Sequence, residues 1–250
     1  MFKLITSAML FLICSTSYGQ IVNIENQRLG IKENGWSGTD DFTFNFTKNT
    51  KEIWQIGNIL RLNYKQDKHS LLMLSEINFV KAGQSDFVNN GFEHLRYNYE
   101  LTDSGRFVFE AFRQTQYSKV QNIRLRSLYG AGFRVAVLNQ DSAQVSLGVL
   151  PMAEFEDLTD GTNNKHIRLS SYLAFDFQFN KTIGINSITY FQPDIIYWND
   201  FRIANTTSLR FKINSYLSWR VIFNLNYDEF PSQSIPQSIW SLRNAVRFKF

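Results

Sequence analysis

From Trp36 onward, apolar and polar positions of the chain alternate one by one. Phe42, Phe44 and Phe46 interleave with Asp41, Thr43, Asn45 and Thr47, and Trp54, Ile56, Leu60, Leu62 and Tyr64 with Gln55, Gly57, Arg61 and Asn63. Later, Leu125, Tyr129, Phe133, Val135 and Val137 alternate with Arg124, Arg126, Gly130, Gly132 and Arg134. Side chains of a strand point to opposite faces in turn, so a sustained period of two predicts long strands with one apolar face. No convincing helical period appears after residue 20.

About twelve such segments are countable, near 36–48, 51–65, 69–81, 91–102, 105–118, 123–139, 142–157, 165–180, 181–197, 200–213, 215–228 and 237–250. Strands of water-soluble domains run to about 5 or 6 residues, whereas strands crossing a bilayer at about 45° need roughly 9 to 11. The expected fold is therefore all-β, a transmembrane antiparallel up-and-down β-barrel of about 12 strands. Even-numbered connections look tight and are built from Asn, Asp, Ser and Gly, as in 102–105 and 139–142. Three odd-numbered ones, Ala82 to Asn90, Asp157 to Lys165 and Glu229 to Gln237, look longer, while Trp198-Asn199 looks tight. Longer loops on one side suit a barrel with both ends in the periplasm.

The amino terminus adds a location. Met1-Phe2-Lys3 leads into an apolar run, Leu4 to Ile13, and then Ser15-Thr16-Ser17-Tyr18-Gly19. One positive charge, a short apolar core and small residues before Gln20 describe a cleavable secretory signal. The expected division is 1–19 as signal peptide and 20–250 as barrel, exported through the Sec pathway to the bacterial outer membrane. Cys14 is the only cysteine, so cleavage leaves a chain with no disulfide and no Cys-based metal site.

Composition agrees with alternation. Aromatics make up 16% of residues, yet mean hydropathy is −0.25. A net charge of +4 is too small to argue for nucleic acid. No cofactor signature is present. At the carboxyl end Trp240, Leu242, Val246, Phe248 and Phe250 share one face. A terminal strand ending in an aromatic resembles the strand that outer-membrane barrels present to the barrel assembly machinery, so the expected partners are that machinery, outer-membrane lipids and small solutes.

The segments Asn23-Ile24-Glu25-Asn26-Gln27-Arg28-Leu29-Gly30 and Gly35-Trp36-Ser37-Gly38 resemble the family of salt-induced outer-membrane proteins, a YdiY-like domain of unknown function. The resemblance covers nearly all of the chain after residue 20. It implies a barrel fold and an envelope location, with no catalytic residues to carry over.

If the apolar members of each strand face lipid, the others line the lumen. The candidates are Arg96 and Glu110, then Arg124, Arg126 and Arg134, then Glu154, Arg168 and Asp176. Arg202, Arg210, Arg220, Arg243 and Arg247 complete the set. Two readings stay open: a basic interior favouring anionic solutes, or arginines interlocked with carboxylates that fill a narrow barrel. Trp36, Trp54, Tyr97, Tyr99, Trp198, Trp219 and Trp240 suit aromatic girdles at the membrane interfaces.

Enzymatic chemistry finds little support. The histidines are His69, His94 and His166, with Ser170 and Ser171 near the last, and neither GxSxG nor HExxH occurs. A calcium site on Asp157, Asp160 and the Gly161 loop competes with a plain solvated turn. The expected function is a small pore or passive permeation channel with an Arg-rich lumen. A closed structural or envelope-stress barrel is the alternative, and a lipid-modifying barrel enzyme a remote third.

Overall fold

The computed structural model describes residues 34–48, 52–83, 85–140, 142–214, 217–232 and 235–248. The signal segment 1–19 and Phe250 lie outside the described residues. Twelve strands follow in order: β1 Gly35–Lys48, β2 Glu52–Gln66, β3 His69–Ala82, β4 Ser85–Glu100, β5 Phe107–Ser118 and β6 Ile123–Gln140. They continue as β7 Ala143–Leu158, β8 Asn163–Gln178, β9 Ile183–Pro193, β10 Phe201–Lys212, β11 Leu217–Asp228 and β12 Ser238–Phe248. Each pairs antiparallel with the next, giving one sheet in the order β1 to β12. Every alternating segment of the sequence becomes one of these strands, which run from 11 residues in β9 to 18 in β6.

The sheet is curled rather than flat. Neighbouring strands lie about 4.8 Å apart, so strands three places apart in a flat sheet would be separated by about 14 Å. Yet Tyr172 on β8 donates a hydrogen bond to Glu110 on β5 at 2.8 Å, and Arg202 on β10 donates to Glu154 on β7 at 2.5 Å. At one rim, Ser232 between β11 and β12 donates to the carbonyl of Gln121 between β5 and β6. Among the described residues β1 and β12 are not paired with each other, so the sheet is open along that seam.

The two faces have opposite chemistry. Phe133, Val149, Ile167 and Leu173 point outward and are exposed, whereas Arg126, Glu154 and Arg168 point inward and are buried. A water-soluble barrel would have the reverse arrangement. An apolar outside, a polar inside and a backbone satisfied by strand pairing are what a bilayer requires. Trp36, Trp54, Tyr97, Trp198, Trp219 and Trp240 are all exposed.

Connection lengths depart from the sequence expectation. β3 and β4 extend to Ala82 and Ser85, so the expected long loop between them shrinks to 83–84. Gly83 supplies the left-handed turn there, with φ of 62°. Conversely β9 stops at Pro193, and seven residues, 194–200, separate it from β10. The 229–237 connection is the longest, with nine residues. Strand pairing stabilises an extended chain even where alternation is imperfect, as it is in Asn89-Asn90-Gly91.

Pro151 sits inside β7, a position where a proline removes a ladder hydrogen bond. The β6–β7 ladder accordingly lacks pairs at Ala131 and Gly132, opposite Pro151 and Leu150. The backbones come close here, since a Cβ added at Gly132 would lie 2.1 Å from the Val149 carbonyl oxygen.

Candidate functional site

Strand register determines which charges meet inside. Glu154 pairs across the β7–β8 ladder with His166, and Arg126 across β6–β7 with Glu156. Arg202 lies between Gln192 on β9 and Asp228 on β11. Cross-strand partners share a face, so curling the sheet brings all of them into one interior layer.

Glu154 is its centre. This fully buried carboxylate receives Arg168 Nε at 2.8 Å, Arg126 Nε at 3.2 Å and Arg202 Nη1 at 2.5 Å. Each arginine has a further acceptor. Arg126 donates to Glu156 with Nε at 2.9 Å, Arg202 to Asp228 with Nε at 2.9 Å, and Arg168 to Asp200 with both terminal nitrogens at 3.0 Å. Forked guanidinium to carboxylate bonds of this kind fix orientation as well as charge. A second knot surrounds Glu110, which accepts from Arg134 Nε at 2.8 Å and from the Tyr172 hydroxyl, with Arg96 at 3.8 Å.

Among the described residues the buried layer is charge-balanced. Arg96, Arg126, Arg134, Arg168 and Arg202 stand against Glu110, Glu154, Glu156, Asp194 and Asp228. Between the two knots lies apolar packing: Leu150, Tyr172, Ile188, Tyr190 and Ala204, with Phe112 against them. Among the described residues, a cavity in this region bounded by Arg96, Leu128, Leu150, Glu154, Tyr190 and Arg202 among others measures about 30 Å³. That is room for a water molecule or two. The inner face of β4 to β10 is therefore packed.

Glycines make space for the interior aromatics. A Cβ at Gly148 would lie 2.1 Å from the ring of its cross-strand partner Tyr172. Gly148→Val should displace that ring, break its bond to Glu110 and cost about 1–3 kcal/mol, measured as the urea midpoint of the detergent-folded protein. An unchanged midpoint would show that Tyr172 does not depend on the gap.

The remaining candidates are placed differently. Arg124 is exposed at the rim and pairs with Asp157 at 3.2 Å. Asp176 and Arg210 are half-buried on the inner face, where Arg210 donates to Gln178. Arg220 is half-buried directly opposite Arg210. The side chains of Arg243 and Arg247 lie outside the described residues. His94 is buried, stacked on Phe112 and bonded to Gln114, and Ser170 accepts from Gln192. Asp160 caps its own turn through the Thr162 N–H, and Asp157 is engaged by Arg124.

Several interior residues escape a reading of alternation. Leu150 and Met152 face inward, within the unbroken apolar run Val149-Leu150-Pro151-Met152. Such a run signals a strand buried on both faces. Glu156, Asp194, Asp200 and Asp228 become network members only through cross-strand register and loop position.

The other wall of the interior mixes small hydroxyl and amide groups with larger and charged side chains, among them Arg61, Arg210 and Arg220. Ser37, Thr39, Asp41, Thr43 and Asn45 on β1 oppose inward positions of β2 such as Arg61 and Asn63. On the far side a hydrogen-bonded line runs from Thr206 on β10 through Asn224 on β11 to Ser241 on β12.

A family model described as protein of unknown function, DUF481, matches residues 49–237. No curated protein matches the chain. Among solved structures, the NanC porin is similar with a TM-score of 0.49 and 9% identity, covering 84% of this chain and 99% of that one. The KdgM porin in complex with disordered oligogalacturonate gives 0.43 and 13%, covering 85% and 99%. The TodX monoaromatic hydrocarbon channel, a deltaS2 mutant, gives 0.45 and 10%, covering 88% and 82%.

Proposed function

The chain belongs to the family described as protein of unknown function, DUF481, and we propose that it serves as a narrow outer-membrane pore for small polar solutes with little charge selectivity. The observation that carries this reading is the division of the interior into two unlike walls. One, across β4 to β10, is filled by compensated ion pairs and apolar packing. The other, on β1 and on β10 to β12, sets the charged side chains of Asp41, Arg210 and Arg220 among hydroxyl and amide groups of small side chains. Such groups exchange hydrogen bonds with a passing solute without binding it strongly, as permeation requires.

Charge balance in the packed wall argues against a strongly anion-selective interior. A guanidinium already facing one or two carboxylates exerts a small net field on a passing ion. Arg210 and Arg220, cross-strand partners next to the β10–β11 turn, place two cations on the opposite wall. Single-channel recording in planar bilayers under a salt gradient should give small conductance with a reversal potential near zero. Arg210→Gln combined with Arg220→Gln should move that potential toward cation preference. Absence of conductance at every salt concentration would overturn the pore. It would favour the second reading, a closed envelope protein, for which the packed wall and its 30 Å³ cavity speak.

A further inference from the structure

We propose a divalent-cation site of the zinc class formed by His166, Asp194 and Asp200 at the rim where β8, β9 and β10 meet. It goes beyond the permeation reading and does not depend on it. His166 lies near the start of β8, Asp194 directly follows β9, and Asp200 directly precedes β10. An isolated bridge between Arg168 and Asp194 joins the end of β9 to β8, and the Asp194 N–H donates to the Asp200 carbonyl at 2.8 Å. These backbone bonds close the seven-residue connection into a loop whose base carries all three side chains.

One potential ligand atom from each side chain converges, and the three lie within 4.8 Å of one another. His166 Nδ1 is 2.8 Å from Asp194 Oδ2 and 3.9 Å from Asp200 Oδ2. Around a tetrahedral zinc ion with bonds of about 2.1 Å, ligand atoms are about 3.4 Å apart. The two observed separations bracket that value, so small rotations suffice. One imidazole and two carboxylates, completed by water, form a set that zinc accepts.

The orientation of the two carboxylates is the independent support. In each, one oxygen is already committed to the protein and the other turns toward the imidazole. Asp194 Oδ1 accepts the N–H groups of Ile196 and Tyr197 at 2.7 and 3.0 Å. Asp200 Oδ1 accepts both terminal nitrogens of Arg168. Hydrogen bonds that hold the outer oxygen of a ligand commonly aim it at a metal. Arg168, the neighbouring cation, is itself compensated by Glu154 and by the Oδ1 side of Asp200.

Bound there, the ion would lock the loop that carries Ile195, Ile196, Tyr197 and Trp198, four consecutive exposed apolar residues. The test is calorimetric titration of Zn(II) into chelator-treated full-length protein, folded in detergent free of lipopolysaccharide so that lipid phosphates contribute no binding. One site per chain is expected. His166→Ala and Asp200→Asn should each weaken it by about tenfold or more, while His69→Ala, at the opposite end of the barrel, leaves it unchanged. Heat-modifiable gel migration verifies that each variant is folded, and Asp200→Asn keeps the test open if His166→Ala is not. No binding by the wild-type protein, or equal binding by a folded His166→Ala or Asp200→Asn variant, would overturn the site and leave an ordinary His–Asp ion pair.

Discussion

Glu154→Gln should lower the unfolding free energy by about 3–5 kcal/mol, the cost expected when one partner of a buried ion network is removed. The size follows from what stays behind. Arg126, Arg168 and Arg202 all direct a nitrogen at this one fully buried carboxylate, from strands β6, β8 and β10. An amide of the same shape accepts fewer and weaker hydrogen bonds, and it leaves three guanidiniums facing one another in a layer that was balanced. Each arginine retains a second acceptor, in Glu156, Asp200 or Asp228. That softens the loss and sets the upper bound. The measurement is urea unfolding of the protein in lipid vesicles, followed by tryptophan fluorescence. A loss below about 1 kcal/mol, the scale of an exposed pair, would mean that water reaches Glu154 and that the layer is not packed.

Leu173→Arg is expected to cost about 2–4 kcal/mol in a bilayer, the range for an arginine placed on the lipid face near the midplane. Leu173 lies in the middle stretch of β8, points outward, and is 41% exposed. In a water-soluble protein that exposure would make it a tolerant surface position, where substitutions stay within about 0.5 kcal/mol. The two environments thus predict different outcomes for the same residue. Comparing the variant in vesicles and in detergent with the wild-type protein decides between them. A near-zero cost in vesicles would contradict the assignment of the apolar face to lipid. The neighbouring inward position, Tyr172, separates the two faces of the strand, since its role is to support Glu110 rather than to meet lipid.

Both predictions depend on knowing which side of each strand faces which medium, and that much was legible in the sequence. Phe42, Phe44 and Phe46, or Leu173, Phe175 and Phe177, mark one face wherever they occur, because the side-chain period of a strand is two. The number of strands and most of their limits follow from the same period. What lies on the inner face was only partly visible. Arg96, Arg126, Arg134, Arg168 and Arg202 stand out beside Glu110 and Glu154 as polar members of alternating strands, but the pattern leaves open whether they make a basic lumen or interlock with carboxylates. Glu156 and Asp228 sit at strand ends, and Asp194 and Asp200 in a loop expected to be part of a strand.

The sequence by itself therefore determined the strands, their two faces and the all-β class, because alternation is a local property that each segment carries alone. Only the tertiary structure decided that Arg126, Arg168 and Arg202 converge on Glu154. It also decided that Leu150 and Tyr190 fill the space beside them, and that His166 meets Asp194 and Asp200. The reason is physical. Curvature of the sheet joins residues three strands apart, and that curvature arises from the register and twist of all the strands together, which no single segment encodes.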